Sequence, residues 1–104
     1  MGSMPASIDG IAGMKVTVMG LGLNGGGLAS ARFFCDRGAE VTVTDLRDEA
    51  TLAPSIEALS GRAVRYVLGR HELEDFSGAD IVIKNPAVRR TSPFLAAARH
   101  LETD

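Results

Sequence analysis

Gly20, Gly22 and Gly25 stand in the run Gly20-Leu21-Gly22-Leu23-Asn24-Gly25-Gly26-Gly27, and an acid, Asp45, follows 20 residues after the third of them (45 − 25). Glycines at this spacing leave bare N–H groups that a phosphate can approach. An acid at that distance suits the hydroxyls of a ribose. The glycines are costly, since each one inside a helix loses about 1 kcal/mol against Ala. Gly25, Gly26 and Gly27 in succession imply that something requires a backbone without Cβ, and the close approach of a phosphate is the leading candidate.

Arg47 lies two residues beyond Asp45, where its planar donor fork suits a base edge or a phosphate. The pair is unusual for NAD, because the acid favours an unmodified ribose and a nearby arginine favours a 2′-phosphate. A uracil edge, with an imide N–H between two carbonyls, matches the pair better. Asp45 is expected in a solvated crevice, where its loss would weaken nucleotide binding and hardly touch folding. Lys84 and Asn85 close a later apolar run. A lysine there either reaches an anion or snorkels. His71 has no partner in sequence, His100 is expected near a helix C-terminus, and Cys35 reads as a small core residue.

Alternating strands and helices are expected to position these residues. Lys15 to Met19 is a continuous apolar run, such as a parallel sheet buries on both faces. Asn24 to Arg37 follows as a helix, with Leu28, Ala31 and Cys35 on one face and Gly38 as its stop. Glu40 to Asp45 is the second strand. A shorter helix is expected from Leu52 to Ser60-Gly61, with Pro54 in its first turn. Ala63 to Leu68 is a third strand closed by Gly69, His71 to Phe76 a helical turn, and Asp80 to Lys84 a fourth strand stopped by Asn85-Pro86. Ser92-Pro93 opens a helix running from Phe94 to about His100. The fold class is therefore α/β: a Rossmann-like, doubly wound parallel sheet of about four strands with helices on both faces. Ligands in such sheets bind beyond the carboxyl ends of the strands. Gly20 to Asn24, Asp45 to Arg47, Gly69 to His71 and Lys84 to Ala87 would converge there.

Length and composition set the bounds. The 104 residues suffice for one modest domain. A net charge of −2 gives no electrostatic case for nucleic acid or an anionic membrane. One cysteine excludes an internal disulfide and suits a reducing, cytoplasmic setting. No apolar run reaches membrane-spanning length, and the N-terminus has no signal-peptide pattern. Met1-Gly2-Ser3 reads as an expression scar, leaving 4–104 as a single domain. The sequence has no G-x-x-x-x-G-K-[ST] loop for ATP, no metal-ligand cluster and no nucleophile–base pairing. No catalytic apparatus can be assembled from it.

Four stretches together resemble the N-terminal domain of the Mur ligase family. They are Val18-Met19-Gly20-Leu21-Gly22-Leu23-Asn24-Gly25; Ala31-Arg32-Phe33-Phe34 with Arg37-Gly38-Ala39-Glu40-Val41; Thr44-Asp45-Leu46-Arg47; and Val82-Ile83-Lys84-Asn85-Pro86. The likeness runs from about Met14 to Ala98, with the D-glutamate-adding member as the nearer match. It implies a Rossmann-like domain that holds the UDP end of UDP-N-acetylmuramoyl-L-alanine rather than NAD. Gly20, Gly22, Leu23, Asn24 and Gly25 would approach the diphosphate, and Asp45, Leu46 and Arg47 the uracil. Gly69 would border the nucleotide, and Lys84, Asn85 and Pro86 would line the muramoyl side. Leu46 stands where relatives often carry a hydroxyl residue, and Ala87 where they carry Gly. The family's P-loop for ATP, its magnesium and catalytic residues and its D-glutamate site lie on two further domains absent from this chain. The resemblance thus implies a non-catalytic piece of a cytoplasmic ligase of peptidoglycan precursor synthesis, with no cofactor of its own. An NAD-binding module or another Mur ligase is the alternative.

Overall fold

A computed structural model describes residues 10–22 and 26–104. Its elements are β1 (Lys15–Met19), α1 (Gly26–Asp36), β2 (Glu40–Asp45), α2 (Glu49–Ala58), β3 (Val64–Leu68), α3 (Leu73–Ser77), β4 (Ile81–Lys84), a single 3-10 turn (Leu95–Ala97) and β5 (Leu101–Thr103). The five strands form one sheet in the order β3-β2-β1-β4-β5, and every pairing is parallel.

Two of the three inner strands, β1 and β4, are buried almost throughout, as their apolar sequences require. The two faces of the sheet build separate cores. Val16, Val18, Val41, Val43 and Ile83 pack with Leu21, Ala31, Leu52 and Leu59 under α1 and α2. Met19 and Val82 pack with Phe76, Ala79 and Leu95 on the other face, under α3 and the 3-10 turn. The chain winds outward from β1 through β2 to β3, then crosses back to β4. The topological switch therefore falls between β1 and β4, where an open sheet leaves a crevice.

Three elements depart from the sequence expectation. The second helix begins at Glu49, not Leu52, because Asp48 caps it: the Asp48 Oδ1 accepts from the Thr51 amide at 2.9 Å. Pro54 consequently sits in the second turn, where it removes a backbone bond. The expected helix from Phe94 to His100 shrinks to the 3-10 turn, and the sheet has five strands rather than four. Ala98 turns extended, and the His100 carbonyl accepts from the Val82 amide at 2.8 Å. Pairing with the open edge of β4 overrides the helix preference of the alanines. His100 accordingly flanks a strand, with Nε2 2.8 Å from Glu102 Oε2, and not a helix end.

Among the described residues no helix is long and apolar enough to cross a membrane.

Candidate functional site

The ladder bonds continue past the strand ends and set the site's spacing. The Gly20 amide donates to the Thr44 carbonyl at 2.8 Å, and the Asn85 amide to the Met19 carbonyl at 2.9 Å. Gly20 and Asn85 are thereby fixed side by side at the switch, so closely that a Cβ on Gly20 would meet the Asn85 Cβ at 2.9 Å. Gly20 and Gly22 both lie at positive φ, +96° and +70°, which a side chain would strain. Ser55, buried on α2, donates its hydroxyl to the Gly22 carbonyl at 2.5 Å and ties the turn to that helix. Ser55 was invisible to motif reasoning; its only signal was a hydroxyl among apolar residues.

Above these ends lies a crevice of about 420 Å³, lined by Gly20, Gly22, Asp45, Leu46, Arg47, His71, Asn85, Ala87 and Val88. Residues from the ends of four strands thus meet in one cleft. Leu46 stands 67% exposed on its wall.

Asp45 is only 4% exposed, not the solvated carboxylate expected. Its Oδ1 accepts from the Arg47 amide at 2.9 Å and from Arg47 Nε at 3.1 Å. Its Oδ2 accepts from the Leu21 amide at 2.9 Å and from Arg47 Nη2 at 3.0 Å, with the Gly22 amide more distant at 3.5 Å. Burial pushes the carboxyl's pKa up, but the bonds from the Arg47 side chain and from the Arg47 and Leu21 amides outweigh it. The group is held below the usual carboxylate range. Each oxygen already has two donors, which fills its lone pairs. Gly69 supports the same corner from below, its amide shared between the carbonyls of Asp45 (2.8 Å) and Arg47 (3.0 Å).

Lys84 is 5% exposed, and its ammonium donates to the Val88 carbonyl at 2.8 Å and the Asn85 carbonyl at 3.3 Å. It holds the Asn85–Val88 loop from beneath and does not line the crevice. The Asn85 Oδ1 accepts from the Ala87 amide at 2.9 Å, a side-chain turn of the kind asparagine favours. No described non-glycine residue has positive φ, so Ala87 fits this turn without strain. Pro86 is exposed beside it.

The glycines at the start of α1 have an internal explanation. A Cβ on Gly27 would land on the carbonyl oxygens of Gly20 and Leu21, so α1 rests directly on the backbone leaving β1. A Cβ on Gly26 would meet the Asp104 carboxyl carbon at 2.8 Å. Close packing accounts for these two without a phosphate: backbone bars a side chain at Gly27, and the Asp104 side chain stands in the way at Gly26. Leu23, Asn24 and Gly25 lie outside the described residues.

His71 lines the crevice, as its place at a strand end implied, but the sequence assigned it no partner and no role. Its Nδ1 lies 2.5 Å from the Thr44 hydroxyl, and its ring packs edge-on against Phe76 and Phe94, with centroids at 5.9 and 5.3 Å. Burial lowers its pKa, with partial opposition from Asp45. Its one sequence signal was its place just after the third strand's end. Among the described residues no cluster of His, Cys, Asp or Glu is arranged to hold a metal ion.

A parallel α/β sheet with a glycine turn after its first strand, and an acid at the tip of its second, defines a Rossmann-like domain. One solved structure, described as "Crystal structure of gox2181", shares this fold with a TM-score of 0.51 and 23% identity, over 75% of this chain and 36% of the other. Residues 14–104 match the model of the Mur ligase MurD-like N-terminal domain, and the chain belongs to that family. It is 48% identical to the UDP-N-acetylmuramoylalanine--D-glutamate ligase of Borreliella burgdorferi (strain ZS7) over 93% of its length. It is 51% identical to the protein of that name from Roseiflexus sp. (strain RS-1) over 86%, and 46% identical to that of Treponema pallidum (strain Nichols) over 90%. The chain spans only 22%, 19% and 19% of these relatives.

Proposed function

We propose that this chain is the UDP-binding domain of a D-glutamate-adding Mur ligase, and that its crevice receives the uridine diphosphate end of UDP-N-acetylmuramoyl-L-alanine. The observation that carries this reading is the convergence of the glycine turn, the Asp45–Arg47 pair and the Asn85 loop on one cleft at the sheet's switch point. The diphosphate lies against the turn, on the Gly22 amide and those of Leu23, Asn24 and Gly25. The base lies towards Leu46 and Arg47, with Gly69 bracing the loop beneath. Asn85 and Pro86 border the muramoyl side, on the loop that Lys84 anchors. Asp45 works as the organiser of this site: it fixes both the Arg47 fork and the start of the turn.

The engaged state of Asp45 also argues against NAD. A dinucleotide site needs that carboxylate open towards ribose hydroxyls, and here both oxygens are occupied by the chain's own donors.

In the parent ligase, cytoplasmic and of three domains, another domain would hold ATP and magnesium, which would supply the phosphoryl group that activates the substrate carboxylate. The D-glutamate amine then displaces the phosphate. This domain performs no chemistry; it anchors the remote end of the substrate, so that binding energy orients the reacting end. Titration of the 104-residue chain with UDP is expected to shift the amide resonances around Gly22 and Arg47, with no response to NAD. Saturable NAD binding with no response to UDP removes the reading.

A further inference from the structure

We propose that His71 selects the base in this crevice: its Nε2, kept as a bare acceptor by Thr44, receives the imide N–H of a uracil. The inference rests on the uridine nucleotide reading above.

Proton counting at Thr44 carries the argument. Thr44 is fully buried, and its single hydroxyl proton faces two neighbours: the Arg70 carbonyl at 3.1 Å and His71 Nδ1 at 2.5 Å. The carbonyl can only accept, so the one arrangement that makes both contacts hydrogen bonds has the hydroxyl donating to it. The short contact to His71 is then a bond in which Nδ1–H donates to Thr44. A neutral ring protonated on Nδ1 has an unprotonated Nε2. That nitrogen has no partner among the described residues and is not among the buried orphan atoms. The ring lines the cleft, and Nε2 is its nitrogen left unengaged by the described residues.

The ring's neutrality has a structural source. Phe76 and Phe94 hold it edge-on in an apolar slot. The charges around it largely cancel: Asp45 is paired with Arg47, and Arg70 Nε with Glu72 at 2.5 Å. The cleft also needs this acceptor. A uracil imide N–H must find a lone pair when buried, and those of Asp45 are filled. Cytosine would bring its own N3 lone pair against Nε2, so the same geometry rejects it.

The test uses the 104-residue chain with UDP, CDP and 3-methyl-UDP, whose methyl group replaces the imide hydrogen. Nitrogen NMR of the free protein is expected to show His71 protonated on Nδ1, with the Nε2 resonance moving on addition of UDP but not of 3-methyl-UDP. UDP is expected to bind about tenfold more tightly than either analogue, the loss expected for one buried unpaired group. In His71→Phe these ratios should fall towards one. An Nε2-protonated ring, or a UDP preference unchanged in His71→Phe, overturns the inference alone. No response to UDP in the wild-type chain overturns the nucleotide reading and this inference with it. The ring spectrum and the analogue comparison need no variant, so a poorly folding His71→Phe leaves the test intact.

Discussion

Arg47 folds back over Asp45, two residues before it, so that main-chain and side-chain nitrogens of one arginine take three of the four strong hydrogen bonds on one carboxylate. The fourth comes from the Leu21 amide at the start of the glycine turn. Asp45→Ala should therefore destabilise the fold as well as weaken nucleotide binding. It leaves a buried amide unpaired, which costs about 1–3 kcal/mol, and the urea midpoint should fall accordingly. Arg47→Ala, on a side chain 47% exposed, should lower UDP affinity with a smaller change in that midpoint. A midpoint unmoved in Asp45→Ala contradicts the organising role.

Ser55→Ala should loosen the turn without touching the crevice wall. The Gly22 carbonyl loses the Ser55 hydroxyl, at a cost of about 1–3 kcal/mol. Thermal unfolding measures that cost, and UDP titration should show weaker binding through a less ordered turn.

Gly26 and Gly27 should respond differently to alanine. Alanine favours a helix by about 1 kcal/mol over glycine, yet in Gly27→Ala the new methyl meets rigid backbone and must push α1 off the sheet. Overpacking of that kind costs about 1–3 kcal/mol or more. In Gly26→Ala the obstacle is the Asp104 side chain, which Asp104→Ala removes. A double-mutant cycle in chemical denaturation should show strong coupling for 26 with 104 and none for 27 with 104.

Stability should fall as the solution is acidified below about pH 6.5, and His71 should be a cause. Its folded pKa lies below its ordinary value of 6.5, so the unfolded chain takes up the proton first. Stability is complete above the unfolded pKa and declines down to the folded one. His71→Asn should flatten this limb of the stability curve. At lower pH a second decline should follow, as the depressed Asp45 carboxyl loses its charge on passing through its folded pKa. Denaturant midpoints from pH 7.5 to 3 check both.

The strands were legible because their signals are long-range averages: runs of β-branched and apolar residues from Lys15, Glu40 and Asp80 permit little else. The glycine turn and Asp45 were legible for the same reason, as a motif in register with those strands. What escaped depended on single contacts. Asp48, Thr51 and Glu49 carried the cap that starts α2, but Pro54 drew the start inward. β5 could not be read from Leu101-Glu102-Thr103, since its shape comes from the open edge of β4. The engagement of Asp45, the burial of Lys84 and the pairing of Thr44 with His71 are facts of direction, and composition is silent on where a side chain points.

The cancellation of Asp45 by Arg47 and of Arg70 by Glu72 leaves the cleft with little net field, and the strand-end Lys84 is sealed beneath its loop. A diphosphate held there leans on oriented peptide dipoles, not on free ammonium or guanidinium groups. Counterions then have little to compete with. Nucleotide affinity should stay nearly level from low to high ionic strength, unlike that of a site built from exposed basic side chains, where added salt erodes attraction within a Debye length.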